Sequence, residues 1–228
     1  MDDGALSLPA EDGLEAFAAR SAALAALSEA VDAPIPAGWN PDDPLPAGIA
    51  GALERFFAAY DDYLAVVLRS QPTRCVAGCH HCCADNPRGS TGVELAWVAR
   101  AAAVLPDAAA VADRARAAAA RWTERLARLG SDDAAVAETK AARDLCPLLG
   151  ADGRCRVYAA RPVACRMFFA LTAPDWCQQT HPRHPEARNP HFTPPWPARE
   201  MLMAVSARLG LGEAAGDLRT GLVERLGR

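Results

Sequence analysis

Four of the chain's eight cysteines fall within nine residues, in the segment CVAGCHHCC at 75–83. Two histidines, His80 and His81, stand between them. Such a segment indicates a metal site, a redox site, a set of disulfides, or a helix stripe in which cysteine serves as a small apolar residue. Because each of these brings reactive thiols close together, this segment restricts the fold more than any other part of the sequence.

The surroundings of the cysteines favour a reducing compartment. The N-terminal segment MDDGALSLPA has neither the basic start nor the apolar core of a signal peptide, and no stretch of 18 apolar residues occurs. We therefore expect a cytoplasmic protein that does not contact a membrane. Thiols stay reduced in the cytosol, where a dense cysteine pattern indicates metal more often than disulfides. The even number of cysteines leaves a disulfide framework open.

The net charge argues against nucleic acid as a partner. It is −4 at pH 7, whereas phosphate binding requires a basic surface. The sequence contains no P-loop, no dinucleotide glycine pattern and no convincing Ser/His/Asp set. We expect a protein or small-molecule partner whose identity is unknown.

Helical periodicity dominates the rest of the chain. Helices are predicted at 11–33, 52–70, 90–106 and 107–130, and again in the C-terminal tail. Thr91 and Glu94 have the spacing of a capping box, and Gly130 suits a helix C-terminus. A prolyl connector at 34–48 separates the first helix from the others.

The segment 146–158, CPLLGADGRCRVY, breaks this helical pattern. Two short apolar runs flank Asp152-Gly153, which is typical of a tight hairpin, and Pro162 follows where another helix could begin. We predict a mainly α fold, a helical domain with a small Cys-rich hairpin and loop region that holds a metal centre. The predicted organisation is an N-terminal helix and connector at 1–48 and a metal-binding domain at 49–228, with the motif region at 75–177.

The other four cysteines, Cys146, Cys155, Cys165 and Cys177, all lie in this hairpin-and-turn region. The long helices contain none. Two compact groups, one on each side of a helical insert at 90–145, suggest two halves of a site that folding brings together. Cations next to cysteines lower thiol pKa values, which gives a role to the adjacent arginines Arg74, Arg154, Arg156 and Arg166. The histidines of the proline-rich stretch at 181–197 are expected to face solvent.

Zinc and iron–sulfur clusters both fit these thiols. If 75–83 were a straight helix, Cys75 and Cys83 would be separated by about 12 Å along its axis, too far for one zinc ion. The segment is therefore bent, which Gly78 permits, or its cysteines do not share one ion. Neighbours such as Cys82 and Cys83 need not bind the same atom, because adjacent side chains diverge.

The C-x3-C-x2-C spacing of Cys75, Cys79 and Cys82 also matches the cluster motif of radical S-adenosylmethionine enzymes. That motif follows the first strand of a βα barrel, whereas this one follows a long helix. The context argues against this enzymatic alternative.

The segment CVAGCHHCC, followed by CPLLGADGRCRVYAARPVACR, resembles the YkgJ-type cysteine-cluster family, a zinc- or iron-chelating domain with a CxxCxxCC pattern. The later block of that family is matched here by Cys146, Pro147, Leu149, Cys155, Val157, Tyr158, Arg161, Pro162, Cys165 and Arg166. The first gap is three residues rather than two, so Cys75 fits the pattern less well than Cys79, Cys82 and Cys83.

The resemblance implies metal binding, and we expect an iron–sulfur cluster, [4Fe–4S] in type, with a redox or cluster-dependent role. The alternative is a zinc-binding structural or interaction module without catalysis, and whether the chain is an oxidoreductase is left open. The candidate ligands are Cys75, Cys79, Cys82, Cys83, Cys146, Cys155, Cys165 and Cys177. Tyr158, Arg161, Pro162 and Arg166 are expected to hold the ligands in position rather than to react.

Overall fold

The computed structural model describes residues 13–69, 71, 73–84, 88–188, 196–212 and 216–226. This part of the chain is mainly helical, which confirms the predicted fold class. Its α-helices are α1 (Leu14–Asp32), α2 (Ala47–Val67), α3 (Gly92–Ala103), α4 (Ala108–Leu129), α5 (Asp132–Ala141), α6 (Val163–Arg166), α7 (Ala198–Arg208) and α8 (Leu218–Leu226). Among these helices, none combines the length and the hydropathy that a membrane crossing requires.

One small sheet accompanies the helices. Strands β1 (Arg88–Ser90) and β2 (Gly216–Asp217) pair antiparallel, which joins the chain just after the cysteine run to the start of α8. The sequence did not indicate this sheet, because strands of two or three residues are too short to show an alternating pattern.

A first hydrophobic core forms where α1 packs against both α2 and α7. The apolar face of α2 buries Leu53, Phe56, Phe57 and Tyr60 at three- and four-residue spacing. This confirms the helix predicted at 52–70, although it begins earlier, after Pro46, and ends at Val67. The division of the chain at residue 48 stays a prediction; α1 and α2 share this core. Residues 11 and 12 of the first predicted helix, residue 70 at the end of the second, and Pro72, which follows the second, lie outside the described residues.

A second core forms between α3, α4 and α8, and the Cys-rich segment contributes to it. Leu148 and Val157 are buried there beside Val98 and Val111. As predicted, α4 ends at Gly130, which adopts the left-handed conformation that glycine tolerates best (φ 62°). The second core therefore attaches both arms of the 146–158 segment to the helices.

Helix α5, which the sequence analysis had not separated from its neighbours, leads the chain back toward the cysteines. Just after it, Asp144 pairs with Arg121 and Arg125 of α4. Burial raises the pKa of Asp144, but the hydrogen bonds from these two arginines outweigh burial and hold it below its usual value. This ion pair fixes the chain two residues before Cys146.

Glu94 connects the start of α3 to α6, the short helix that carries Cys165. The predicted capping box is confirmed, since one oxygen of Glu94 accepts hydrogen bonds from the Thr91 N–H (2.7 Å) and hydroxyl (2.8 Å). The other oxygen accepts the Val163 N–H at 2.7 Å. Because Glu94 is buried, desolvation raises its pKa.

Replacing Glu94 with Ala should destabilise the protein, because the Thr91 and Val163 N–H groups lose their acceptor. A buried donor left unsatisfied costs about 1–3 kcal/mol, so we expect the free energy of unfolding to fall by at least about 2 kcal/mol. Urea denaturation followed by circular dichroism measures this change. The control is Glu124→Ala at an exposed position of α4; equal losses in the two variants would contradict the connecting role of Glu94.

Candidate metal centre

The cysteine run 75–83 is a bent loop that ends in a 3-10 turn, His81–Ala84. Gly78 has a φ of 86°, and the N–H of Cys79 donates to the Val76 carbonyl at 3.0 Å. The segment is therefore bent at Gly78, which was one of the two alternatives left open by the sequence, and a straight helix is excluded. Cys75 and Cys83 are not constrained to the axial separation that a helix would impose.

The 146–158 segment turns back on itself as predicted. The N–H of Gly150 donates to the Arg154 carbonyl at 2.8 Å, and one antiparallel bridge joins Leu149 to Cys155. Gly153, with a φ of 75°, forms the tip, where a Cβ atom would lie only 2.8 Å from the Gly78 carbonyl oxygen. Glycine is needed at this contact, because the tip of the hairpin packs directly against the cysteine loop.

The two groups of cysteines meet in the fold. The N–H of Cys146 donates to the carbonyl of Cys83 at 3.1 Å, and the thiols of Cys82 and Cys165 are close enough to interact electrostatically. The 3-10 turn Pro174–Cys177 also contacts the turn His81–Ala84. The two cysteine segments are therefore in contact through their backbones, and their union in one metal site stays a prediction. All eight cysteines lie in the described part of the chain, and none forms a disulfide there.

Four cysteines line a cleft that encloses about 770 Å³ of space, part of it open to solvent. Basic and imidazole side chains complete its walls together with amide and apolar groups. Its thiol, imidazole and basic lining residues are Cys75, Cys79, Cys82, Cys177, His80, His81, His184, Lys140 and Arg143. Among the described residues that border this cleft, the other four cysteines are not found. Cys146 and Cys155 pack instead against the second core.

The cleft includes residues that the sequence analysis did not select. His184 was expected to face solvent; it is half-buried, and its Nδ1 lies 2.9 Å from the Trp176 carbonyl. Lys140 and Arg143 come from the end of α5 and the turn after it, and Arg143 adopts a left-handed conformation with a φ of 50°. No local pattern marks these two residues, because α5 reaches the cleft only through tertiary packing. His191 lies outside the described residues.

Backbone N–H groups point at the sulfur atoms. The Ala170 N–H donates to Cys75 Sγ at 3.2 Å. Three more thiols accept the N–H of the residue two positions later: Cys79 from His81, Cys146 from Leu148, and Cys155 from Val157. Hydrogen bonds to sulfur favour the thiolate, which is the form that binds metal.

Arg161 supplies a positive charge beside thiols of both groups. Its guanidinium lies 3.6 Å from the centre of the Tyr158 ring and opposes the rise in thiol pKa of Cys82, Cys155 and Cys165. Its Nε is buried and has no hydrogen-bond partner among the described residues. An unsatisfied cationic donor among thiols suits a centre that becomes negatively charged when the thiols ionise.

The arginines that are next to cysteines in the sequence make different contacts from one another. Arg166, selected because it follows Cys165, opposes the rise in the pKa of the Cys155 thiol, and it is also buried in an ion pair with Asp61. It donates to the carbonyls of Ala159 (2.7 Å) and Arg161 (2.9 Å), which fixes the turn before Cys165. Arg156 pairs with Asp107. Sequence adjacency therefore missed the effect of Arg161, to which only a positioning role had been given.

Burial raises the pKa of most of these thiols. Burial raises the pKa of Cys165 to about 12 and the pKa of Cys177 to about 11. The pKa of Cys82 is also raised; the larger cause is a hydrogen bond with the Cys83 side chain, and burial is the next. In the described residues no group of three or more His, Cys, Asp or Glu side chains is arranged to hold a metal ion as it stands. A metal must therefore displace protons and draw the thiols together.

Tyr158, Arg161, Pro162 and Arg166 surround the chain between Cys155 and Cys165. Pro162 directly precedes α6, as predicted, whereas Tyr158 is 59% exposed and contacts Arg161 through its ring. Their influence on metal ligands, like the ligand role of each of the eight cysteines, stays a prediction.

Comparison with known proteins agrees with this picture of a thiol-rich site. Residues 74–182 match the CxxCxxCC family model. The family is described as a "Putative zinc- or iron-chelating domain", and the matched segment covers just under half of the chain, including all eight cysteines. The match supports metal binding by the CxxCxxCC segment and leaves zinc and iron–sulfur as alternatives. No curated protein and no solved structure matches the chain.

The raised thiol pKa values predict that the metal-free, reduced protein loses stability in alkali. Cys177, with a pKa of about 11, stays protonated in the fold at pH values where cysteines of the unfolded chain ionise. Because the folded state then binds more protons than the unfolded state, the free energy of unfolding should fall as the pH rises above about 8.5. Urea denaturation at a series of pH values measures this slope. Cys177→Ser should make it shallower; an unchanged slope would contradict the assignment.

Proposed function

We propose that this chain is a cytoplasmic metal protein that holds an iron–sulfur cluster on the CxxCxxCC segment and uses it in electron transfer or in a cluster-dependent reaction. The observation that carries the proposal is the convergence of four thiols, Cys75, Cys79, Cys82 and Cys177, on one open cleft. Iron–sulfur clusters are held by four cysteine thiolates, which matches this donor set.

The surroundings of these thiols fit a cluster. N–H groups donate to the sulfur atoms of Cys75 and Cys79, and Arg161 places a cation near Cys82. Hydrogen bonds to sulfur and nearby charge are the means by which proteins set the reduction potential of such clusters. When bound, the cluster would supply one-electron transfer, while the chain's own residues position it and control access.

The openness of the cleft favours a reactive centre over a purely structural one, because structural zinc sites are closed by their protein ligands whereas reactive metal sites keep an accessible side. Lys140 and Arg143 line the cleft beside His81. The charge of Arg143 contributes to lowering the pKa of His81, although burial is the larger cause and the charge of His80 the next. We infer that the partner, a protein or a small molecule, presents a negative group to this side.

Zinc is the second candidate, and a different observation favours it. Cys146 and Cys155 pack against the second core, away from the cleft, on the two arms of a short hairpin that backbone hydrogen bonds and one antiparallel bridge hold together. A metal held between these arms would act as a structural zinc ion does.

Anaerobic purification should yield brown protein that contains iron and acid-labile sulfide, because the cleft offers four thiolates to a cluster. Metal and sulfide analysis with an absorption spectrum measures this. Colourless protein that contains zinc would support the second candidate in place of the first. Freshly isolated protein with no bound metal and its cysteines in disulfides would overturn both.

Removing the metal should loosen the hairpin region more than the helices. Residues 146–177 are mostly turns and helical segments of three or four residues, whereas α4 is a continuous helix of 22 residues anchored by Trp122 and Val111. We expect chelation to increase amide hydrogen exchange in 146–177 while α4, at 108–129, keeps its protection. Equal changes in the two segments would mean that the metal does not stabilise the hairpin.

A further inference from the structure

We infer that the eight cysteines form two separate metal centres of four thiols each, and that the boundary runs between the neighbours Cys82 and Cys83. One centre, the cleft centre, consists of Cys75, Cys79, Cys82 and Cys177; the other, the interior centre, consists of Cys83, Cys146, Cys155 and Cys165. The inference rests on the proposed function only in requiring that the thiols bind metal.

The cleft centre is defined by a shared wall. Cys75, Cys79, Cys82 and Cys177 all line the same cleft, and each of these thiols lies within electrostatic range of the others. Three of them come from the bent loop, and the fourth comes from the 3-10 turn Pro174–Cys177 that packs against it. The N–H of Ala170, which also lines the cleft, donates to Cys75.

The interior centre is defined by the hairpin. Cys83 accepts the Cys146 N–H through its carbonyl, and Cys155 lies on the opposite arm of the hairpin, bridged to Leu149. Cys146, Cys155 and Cys165 are within electrostatic range of one another. The two hairpin cysteines, Cys146 and Cys155, pack against the second core, and none of the four cysteines of this group lines the cleft.

The division between Cys82 and Cys83 follows from the backbone. Both lie in the 3-10 turn His81–Ala84, where successive residues point about 120° apart. Cys82 borders the cleft, whereas Cys83 is absent from its lining and accepts the Cys146 N–H through its backbone carbonyl. The centres adjoin, because the Cys82 thiol is hydrogen-bonded to the Cys83 side chain and lies within electrostatic range of Cys165.

The two centres differ in the chemistry they support. Four thiolates facing a packed interior form a closed site that takes a thiophilic divalent ion such as zinc and stabilises the fold. The cleft centre keeps one side accessible to a reactant. The loop 75–83 thus contributes three ligands to the accessible centre and one to the closed centre.

The matched pair Cys82→Ser and Cys83→Ser tests the division, because both variants make the same change in the same turn. Metal analysis of anaerobically purified protein should show that Cys82→Ser loses the cleft metal and keeps the interior metal, and that Cys83→Ser does the reverse. Cys82→Ser combined with Cys177→Ser should retain as much metal as Cys82→Ser alone. Cys82→Ser combined with Cys155→Ser should lose nearly all of it.

Loss of all metal in both single variants would overturn the division, since a shared centre fails as a unit. Wild-type protein without metal would instead overturn the proposed function, so the two failures are distinct. If Cys83→Ser does not fold, the time course of metal release from the wild-type protein to a chelator tests the division instead. We expect release in two phases, and we expect Cys177→Ser to lack the faster phase. Release in a single phase would contradict the two centres.

Discussion

Neighbouring thiols cannot all ionise unless positive charge or hydrogen-bond donors lie among them, and the rest of the structure depends on this constraint. Burial and proximity raise the pKa values of Cys146, Cys165 and Cys177. The N–H groups aimed at sulfur and the guanidinium of Arg161 oppose this rise without removing it. A bound metal would neutralise the negative charge of the thiolates that these donors leave uncompensated. Metal binding and local folding are therefore expected to be coupled.

The helices hold the segments that carry the thiols rather than the thiols themselves. Glu94 joins α3 to α6 just before Cys165, and the pairing of Asp144 with Arg121 and Arg125 fixes the approach to Cys146. Arg166, buried against Asp61, ties the turn after Tyr158 to α2. Each of these contacts reaches from a long helix to a residue within two positions of a cysteine. The long helices contribute no cysteine, yet they determine where the cysteines can lie.

Patterns that repeat along the chain could be read from the sequence. The helices follow from 3.6-residue periodicity, and the capping box of Thr91 and Glu94 and the turn at Gly153 follow from local chemistry. The sequence also predicted that the cysteines gather in one region, because they are absent from the long helices. The two-residue strand β2 was too short to leave a pattern.

Features that depend on tertiary packing could not be read in this way. In the sequence the cysteines divide at the helical insert, whereas in space Cys82 borders the cleft and Cys83 joins the hairpin. That difference arises from a single 3-10 turn and its contacts. The charge of Arg161 near three thiols was missed for the same reason, since its nearest neighbours along the chain are Ala160 and Pro162.

The central claim is that the thiols of residues 75–177 are metal ligands. X-ray absorption at the edge of whichever metal the protein carries tests it most directly, because the spectrum reports the atoms bound to that metal. The account predicts a first shell dominated by sulfur at about 2.3 Å. A first shell made only of oxygen and nitrogen would show that the metal is bound elsewhere, and it would contradict the account.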